Sequence, residues 1–141
     1  GPDLHRQGGK NPSSWHFKHM YNPRLTSPRS IMPRYPWLIA HKLDRSLTQD
    51  KIQFMKDVYD IPYTQAEIDS ANTWANNQAA GIVRDIYKEA PDIKEAIEKE
   101  KAKKGADFIP LEEREITALI AYLQRLGTDI KTTEIKTASN N

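Results

Sequence analysis

Four prolines crowd one short stretch of this chain, at positions 23, 28, 33 and 36. Proline has no backbone N–H to donate, fixes its own φ, and disfavours a helical conformation in the residue before it. Neither a helix nor an inner strand can run through such a stretch, so we predict an irregular loop over residues 23–36. Long ordered loops inside compact domains commonly carry function.

The sequence on either side of this loop is patterned for helices. A short helix is predicted from Trp15 to about Tyr21, with Ser13 or Ser14 as its N-cap. A second helix is predicted to begin at Thr48 and to last roughly three turns.

Two further helical segments follow. Thr64 and Glu67 have the spacing of a capping box, which predicts the start of a helix that runs to about Ala90. Residues 92–104 carry Lys and Glu at spacings of three and four, which is typical of a solvent-exposed helix.

The last predicted helix, over residues 110–127, has the clearest signal. An apolar stripe at i, i+3, i+4 and i+7 is formed by Ile116, Leu119, Ile120 and Leu123. We find no strand pattern and no internal repeat in the sequence. The predicted class is therefore all-α, with a disordered tail over residues 131–141.

Composition excludes several kinds of site. The 141 residues are 38% hydrophobic and 28% charged, and their longest apolar stretch is too short to cross a bilayer. They contain no cysteine, so disulfides, thiolate metal sites and covalent haem attachment are excluded within them.

The charges are divided unevenly along the chain. Residues 1–45 hold eight Lys and Arg against two Asp, whereas residues 46–141 hold thirteen against seventeen acidic residues. A basic, proline-rich segment could contact nucleic acid, anionic lipid head groups or an acidic protein surface. Nucleic acid is the least favoured of these, because no recognition motif accompanies the charges and they are spread singly.

The histidines offer little catalytic chemistry. His16 and His19 stand at i and i+3 on one predicted helix, where they could share a metal ion with Met20 or a distant carboxylate. They could equally be a helix-surface pair or neighbours of a haem. We find no nucleophile set beside a base, so the sequence suggests no acid–base or nucleophilic enzyme site.

The run from Ile31 to Leu38 is more specific. Met32 lies beside Pro33 in the predicted rigid loop, an unusual place for a residue whose flexibility suits it to filling gaps in a core. Its thioether could serve as a soft axial ligand to a haem iron. The alternative is an ordinary hydrophobic plug.

Several segments in this order resemble one protein family. They are residues 1–6, 8–10, 15–16, 21–24, 30–33, 35–38, 61–64 and 115–128, which together make up 41 of the 141 residues. The chain resembles the mono-haem cytochrome c subunit, subunit II, of cbb3-type cytochrome c oxidases, in the region after its haem-attachment motif.

The resemblance implies roles for individual residues. Met32 would be the axial haem ligand, and Pro2 would accept a hydrogen bond from the other axial ligand, a histidine. Leu4, Tyr35 and Trp37 would line the haem pocket. The resemblance also divides the chain into haem-pocket and methionine loops (1–45), a helical insertion (46–109) and a terminal helix (110–127) of one incomplete cytochrome c-like domain (1–130).

The resemblance further implies a function in electron transfer. The full-length parent would carry haem c and pass electrons towards the oxygen-reducing subunit, without being an enzyme on its own. Its partners would be other oxidase subunits, and an upstream anchor would hold it in the bacterial inner membrane with the haem domain on the periplasmic side.

Two departures from the family leave an alternative open. The Cys-x-x-Cys-His motif is missing, so we expect this fragment to be haem-free, and the charged segment 65–110 is longer than the family pattern. A haem-free helical module that binds a partner through residues 64–104 would account for both. Without the family's first helix, the terminal stripe from Ile116 to Leu123 must find other cover. We expect it either to pack on the helix over 64–90 or to stay exposed, in which case the fragment could self-associate through it.

Overall fold

A computed structural model describes residues 4–128, and these residues form an all-α fold, as predicted. The helices are α1 (Ser13–Tyr21), α2 (Pro36–Ala40), α3 (Thr48–Tyr59), α4 (Gln65–Glu89), α5 (Pro91–Lys104) and α6 (Glu115–Arg125). Short 3₁₀ turns lie at Leu4–Arg6, Pro23–Leu25, Gly105–Asp107 and Leu111–Glu113. Within residues 4–128 the only β-type pairing is an isolated bridge between Lys42 and Arg114. The predicted tail over 131–141 lies outside the described residues.

Helix α4 is the centre of the fold, and it packs against α1, α3, α5 and α6. Its start confirms the capping box. The backbone N–H of Glu67 donates to the Thr64 hydroxyl, and the Thr64 N–H donates to the Glu67 carboxylate at 2.8 Å. The reciprocal bonds satisfy backbone groups that a helix start leaves unpaired.

The core is built mainly where α4 meets α1, α5 and α6. Its buried members are Phe17, Ile82, Val83, Ile86, Ala90, Ile93, Ile97, Leu111, Ile116 and Ile120. Of the two expectations for the terminal stripe, packing on the helix over 64–90 is confirmed, and an exposed stripe is wrong. Ile116 and Ile120 are completely buried, because α6 packs against α4.

Helix α6 begins later than the sequence pattern predicted. A 3₁₀ turn follows Pro110, and Arg114 is then extended, so the α-helix starts at Glu115 rather than at residue 110. The interruption has a clear cause. The segment that follows α2 is hydrogen-bonded to these residues. Leu43 N–H donates to the Glu113 carbonyl, and Glu115 N–H donates to the His41 carbonyl.

Two details of the first third also differ from prediction. Helix α1 includes Ser13 and Ser14 and takes Pro12 as its N-cap, without a side-chain cap. The short helix α2 was not predicted. Pro36 stands at its first position, where proline's missing N–H costs nothing.

The segment before α1 is seated on the end of α6. Gly8 N–H donates to the Leu126 carbonyl at 2.8 Å, and a Cβ on Gly8 would come within 2.5 Å of the same oxygen. Gly127 has φ +77° and faces the His5 carbonyl so closely that a Cβ would clash. Only glycine allows this approach at both positions.

No helix among residues 4–128 has the length and apolarity needed to cross a membrane.

Candidate functional site

The methionine loop, which we define as residues 20–35, is closed by a backbone hydrogen bond. Tyr35 N–H donates to the Met20 carbonyl at 3.1 Å, so the end of α1 is tied to the start of α2. Inside the loop, Met32 N–H donates to the Ser30 hydroxyl at 3.2 Å. The irregular course predicted from the prolines is confirmed, apart from the 3₁₀ turn at Pro23–Leu25.

The chain has three methionines, and they lie in different surroundings. Met20 packs against the core cluster. Met55 is exposed on α3 beside Phe54, where it lines a shallow surface cavity. Met32 is half-buried and is not among the residues packed on the core cluster. Of the three, Met20 alone is explained by core packing, so core packing does not account for Met32.

The structure brings together only some of the predicted pocket residues. The rings of Tyr35 and Trp37 meet edge to face, with centroids 5.2 Å apart. Leu4 lies in the 3₁₀ turn at the other end of the segment, and both Leu4 and Trp37 are about half exposed. No hydrogen bond or ring contact within residues 4–128 joins Leu4 or Met32 to the aromatic pair. Pro2 is outside the described residues.

These residues fit one side of a haem site. A thioether on a proline-braced loop is a suitable soft ligand for haem iron, and the uncovered side chains of Leu4 and Trp37 offer apolar surface to a haem face. Four surface cavities formed by described residues lie elsewhere and are not lined by Met32. The cysteines and the second axial ligand are not supplied by these residues, since the sequence has no cysteine and no Cys-x-x-Cys-His motif.

The histidine pair of α1 is more buried than the sequence suggested. His16 is 2% exposed, and its Nε2 has no hydrogen-bond partner among the described residues. His19 stacks on Trp15 with ring centroids 4.6 Å apart, and its Nδ1 is 2.5 Å from the Thr26 hydroxyl. Burial lowers the pKa of both histidines. The interpretation of His16 and His19 as a helix-surface pair is therefore wrong for His16, which is buried.

The metal hypothesis for this pair gains no support. Within the described residues, no group of three or more His, Cys, Asp or Glu side chains is placed to hold a metal ion.

Sequence reasoning missed Arg114, which is the largest fully buried side chain. Its guanidinium donates to the carbonyls of Ile109 (2.9 Å) and Ile39 (3.1 Å) and to the Glu100 carboxylate (3.0 Å). It also lies 5.4 Å from the centroid of the Phe108 ring. These partners come from three places in the sequence, around residues 39, 100 and 108–109, so no local pattern could have revealed them.

The methionine loop carries positive charge without nearby compensation in sequence. Between Tyr21 and Arg34 there is no acidic residue, and Arg24, Arg29 and Arg34 are exposed. No ion pair to these arginines is formed within residues 4–128. Ile31, at the tip of the loop, is 98% exposed. The loop therefore presents cations around an uncovered apolar side chain.

A comparison with protein-family models assigns the chain to one family. The model of the family described as "Cytochrome C oxidase, mono-heme subunit/FixO" matches residues 1–130. No curated protein matches the chain.

Proposed function

Because the chain belongs to the family of mono-haem subunits of cytochrome c oxidase, we propose that it supplies the methionine side of the haem site in a cbb3-type oxidase. In this proposal the full-length parent passes electrons towards the oxygen-reducing subunit. The observation that carries the proposal is the family match over residues 1–130, which includes the whole methionine loop.

The residues of this chain would hold and shield the cofactor. Haem c, when bound, supplies a one-electron couple at its iron. Met32 would provide the thioether ligand, and its backbone is held by Ser30 and braced by Pro33. Leu4, Tyr35 and Trp37 would keep water from the haem, with Pro2 accepting a hydrogen bond from the histidine ligand. A thioether ligand favours the reduced iron and raises the reduction potential.

The proposal assigns no bond-breaking chemistry to this chain. Oxygen reduction would take place on another subunit, and the 141 residues alone would carry no covalently attached haem, because they have no cysteine. An anchor upstream would hold the parent in the bacterial inner membrane with this domain on the periplasmic side.

We further propose that the basic methionine loop contacts an acidic surface of a neighbouring oxidase subunit. Arg29 and Arg34 are exposed, unpaired within residues 4–128, and flank the uncovered Ile31. Charged rims around an apolar centre are typical of protein contacts, and complementary charge mainly affects association and its salt dependence. An anionic lipid surface is the alternative contact for this loop.

Reversing these charges tests the contact. The double variant Arg29→Glu, Arg34→Glu should release the subunit from the purified complex at a lower salt concentration than the wild type. Lys101→Glu, Lys103→Glu makes the same change in charge on exposed positions of α5 and serves as the control. Equal retention of both variants would contradict the contact. Retention of the complex together with lost binding to anionic vesicles would favour lipid.

One observation favours the alternative, a haem-free interaction module. Helix α3 buries none of its residues fully, and it leaves Phe54, Val58 and Tyr59 more than half exposed. The gene sequence that precedes the codon for Gly1 separates the two functions. A hydrophobic span followed by Cys-x-x-Cys-His would support the cytochrome, whereas an unrelated domain or an immediate start codon would support the module.

A further inference from the structure

Arg114 joins three parts of the chain that are far apart in sequence. It stands just before α6, it bonds the Ile39 carbonyl near the end of α2, and it bonds the Glu100 carboxylate on α5. The side chain of Arg114 is 2% exposed, while that of Glu100 is 27% exposed. A buried guanidinium needs such partners, because an unpaired buried charge is strongly destabilising.

The Ile39 carbonyl is close in sequence to the proposed ligand. Only six residues separate Met32 from Ile39, and Pro33 and Pro36 stiffen that connection. The other end of the methionine loop is tied back at Met20 by the Tyr35 N–H. Fixing Ile39 therefore limits where the exit of the loop can lie.

Glu100 is suited to hold Arg114 in place. Burial acts to raise the pKa of Glu100, but hydrogen bonds from Lys104 and Arg114 outweigh it, so the pKa is lowered overall. The side chain is therefore ionised at neutral pH, and its bond to Arg114 is charge-assisted.

We propose that Arg114 and Glu100 are positioning residues for Met32, through which α5 fixes the methionine loop. The inference rests on the proposed function. It also gives the charged helical segment a role that the family resemblance leaves unexplained. Helix α5 supplies the carboxylate that orients the guanidinium, and the guanidinium holds α2, which directly follows the loop, by the Ile39 carbonyl.

The test uses Glu100→Gln in the full-length, haem-loaded protein, because glutamine keeps the shape and removes the charge. Replacing a charge-assisted bond by a neutral one weakens it, and we expect amide hydrogen exchange of residues 31–41 to become about three- to ten-fold faster. The reduction potential and the methionine–iron absorption band should shift as well. The control is Glu98→Gln on the same helix, whose partner is the exposed Lys94, and it should change none of these.

The outcomes distinguish this inference from the proposed function. If Met32→Ala alters the absorption band while Glu100→Gln leaves exchange, band and potential as in the wild type, the positioning role is wrong and the ligand role stands. If Met32→Ala leaves the band unchanged, the ligand role fails, and the positioning role for Met32 fails with it. Lysine cannot donate to all three acceptors of the Arg114 guanidinium at once. Arg114→Lys should therefore change the exchange rate, the absorption band and the potential more than Glu100→Gln does. An Arg114→Lys protein that is folded and unaltered would also overturn the inference.

Discussion

Residue burial explains which single side chains the sequence could identify. Met32 could be proposed as a ligand because its neighbours in sequence, the prolines and aromatic residues, are themselves unusual. Arg114 and His16 could not, because their roles come from partners and burial that only the folded chain provides. A buried arginine and a buried histidine look like ordinary polar residues in sequence, and polar side chains are mostly exposed.

The burial of His16 has a consequence for stability against pH. Burial first, and the nearby charge of His19 second, lower the pKa of His16 from its ordinary value of 6.5, and burial lowers that of His19. The unfolded chain therefore binds these protons more readily than the folded one. Both histidines are neutral above pH 6.5, so their titration takes nothing from the free energy of unfolding there. As the pH falls from 6.5 towards the folded-state pKa values, the free energy of unfolding decreases, because the unfolded chain takes up the protons first.

We predict that the free energy of unfolding of the 141-residue chain decreases between about pH 7 and pH 5, and that His16→Gln makes this decrease smaller. Urea unfolding at a series of pH values measures both. A variant with the same slope as the wild type would show that His16 is not protonated more weakly in the folded state.

At the scale of elements, the sequence predicted which segments are helical more accurately than where each helix begins. The capping box fixed the start of α4 because Thr64 and Glu67 act on each other locally. The predicted start of α6 was wrong, because residues 41 and 43, which lie about 70 positions away in sequence, form hydrogen bonds with residues 113 and 115. The short α2 was missed since four prolines in one stretch favour a loop, although Pro36 can open a helix.

Helix α6 packs against α4, which covers the apolar stripe of the terminal helix. Ile120→Ala should lower the free energy of unfolding by about 2–4 kcal/mol, because it removes methylene groups from a fully buried site and leaves a cavity. Ile31→Ala is the same chemical change at a 98% exposed site, and it should change stability by less than about 0.5 kcal/mol. Urea unfolding of both variants tests the difference, and equal losses would show that α6 is not covered as described.

At the scale of the whole molecule, one buried cluster of apolar side chains runs through α1, α4, α5 and α6. The sequence correctly predicted the all-α class and the terminal helix. It could not decide whether α4 or a second copy of the chain covers the terminal helix, because the apolar spacing of a helix indicates a buried face without indicating its partner.

We therefore predict that the 141-residue chain, prepared without haem, is helical and unfolds cooperatively in urea. With the α6 stripe buried inside one chain, it should also be monomeric at micromolar concentration. Circular dichroism during urea titration and light scattering measure these properties. Non-cooperative unfolding, or dimers whose dissociation melts the helices, would contradict the folded single-chain core.

The central claim is that Met32 is the haem ligand of this family member, and Met32→Ala in the full-length, haem-loaded protein tests it most directly. Met55→Ala, at an exposed methionine on α3, is the matched control. The account predicts that Met32→Ala abolishes the methionine–iron absorption band and lowers the reduction potential, since a thioether ligand raises it, while Met55→Ala changes neither. A Met32→Ala protein that retains both the band and the potential of the wild type would contradict the account.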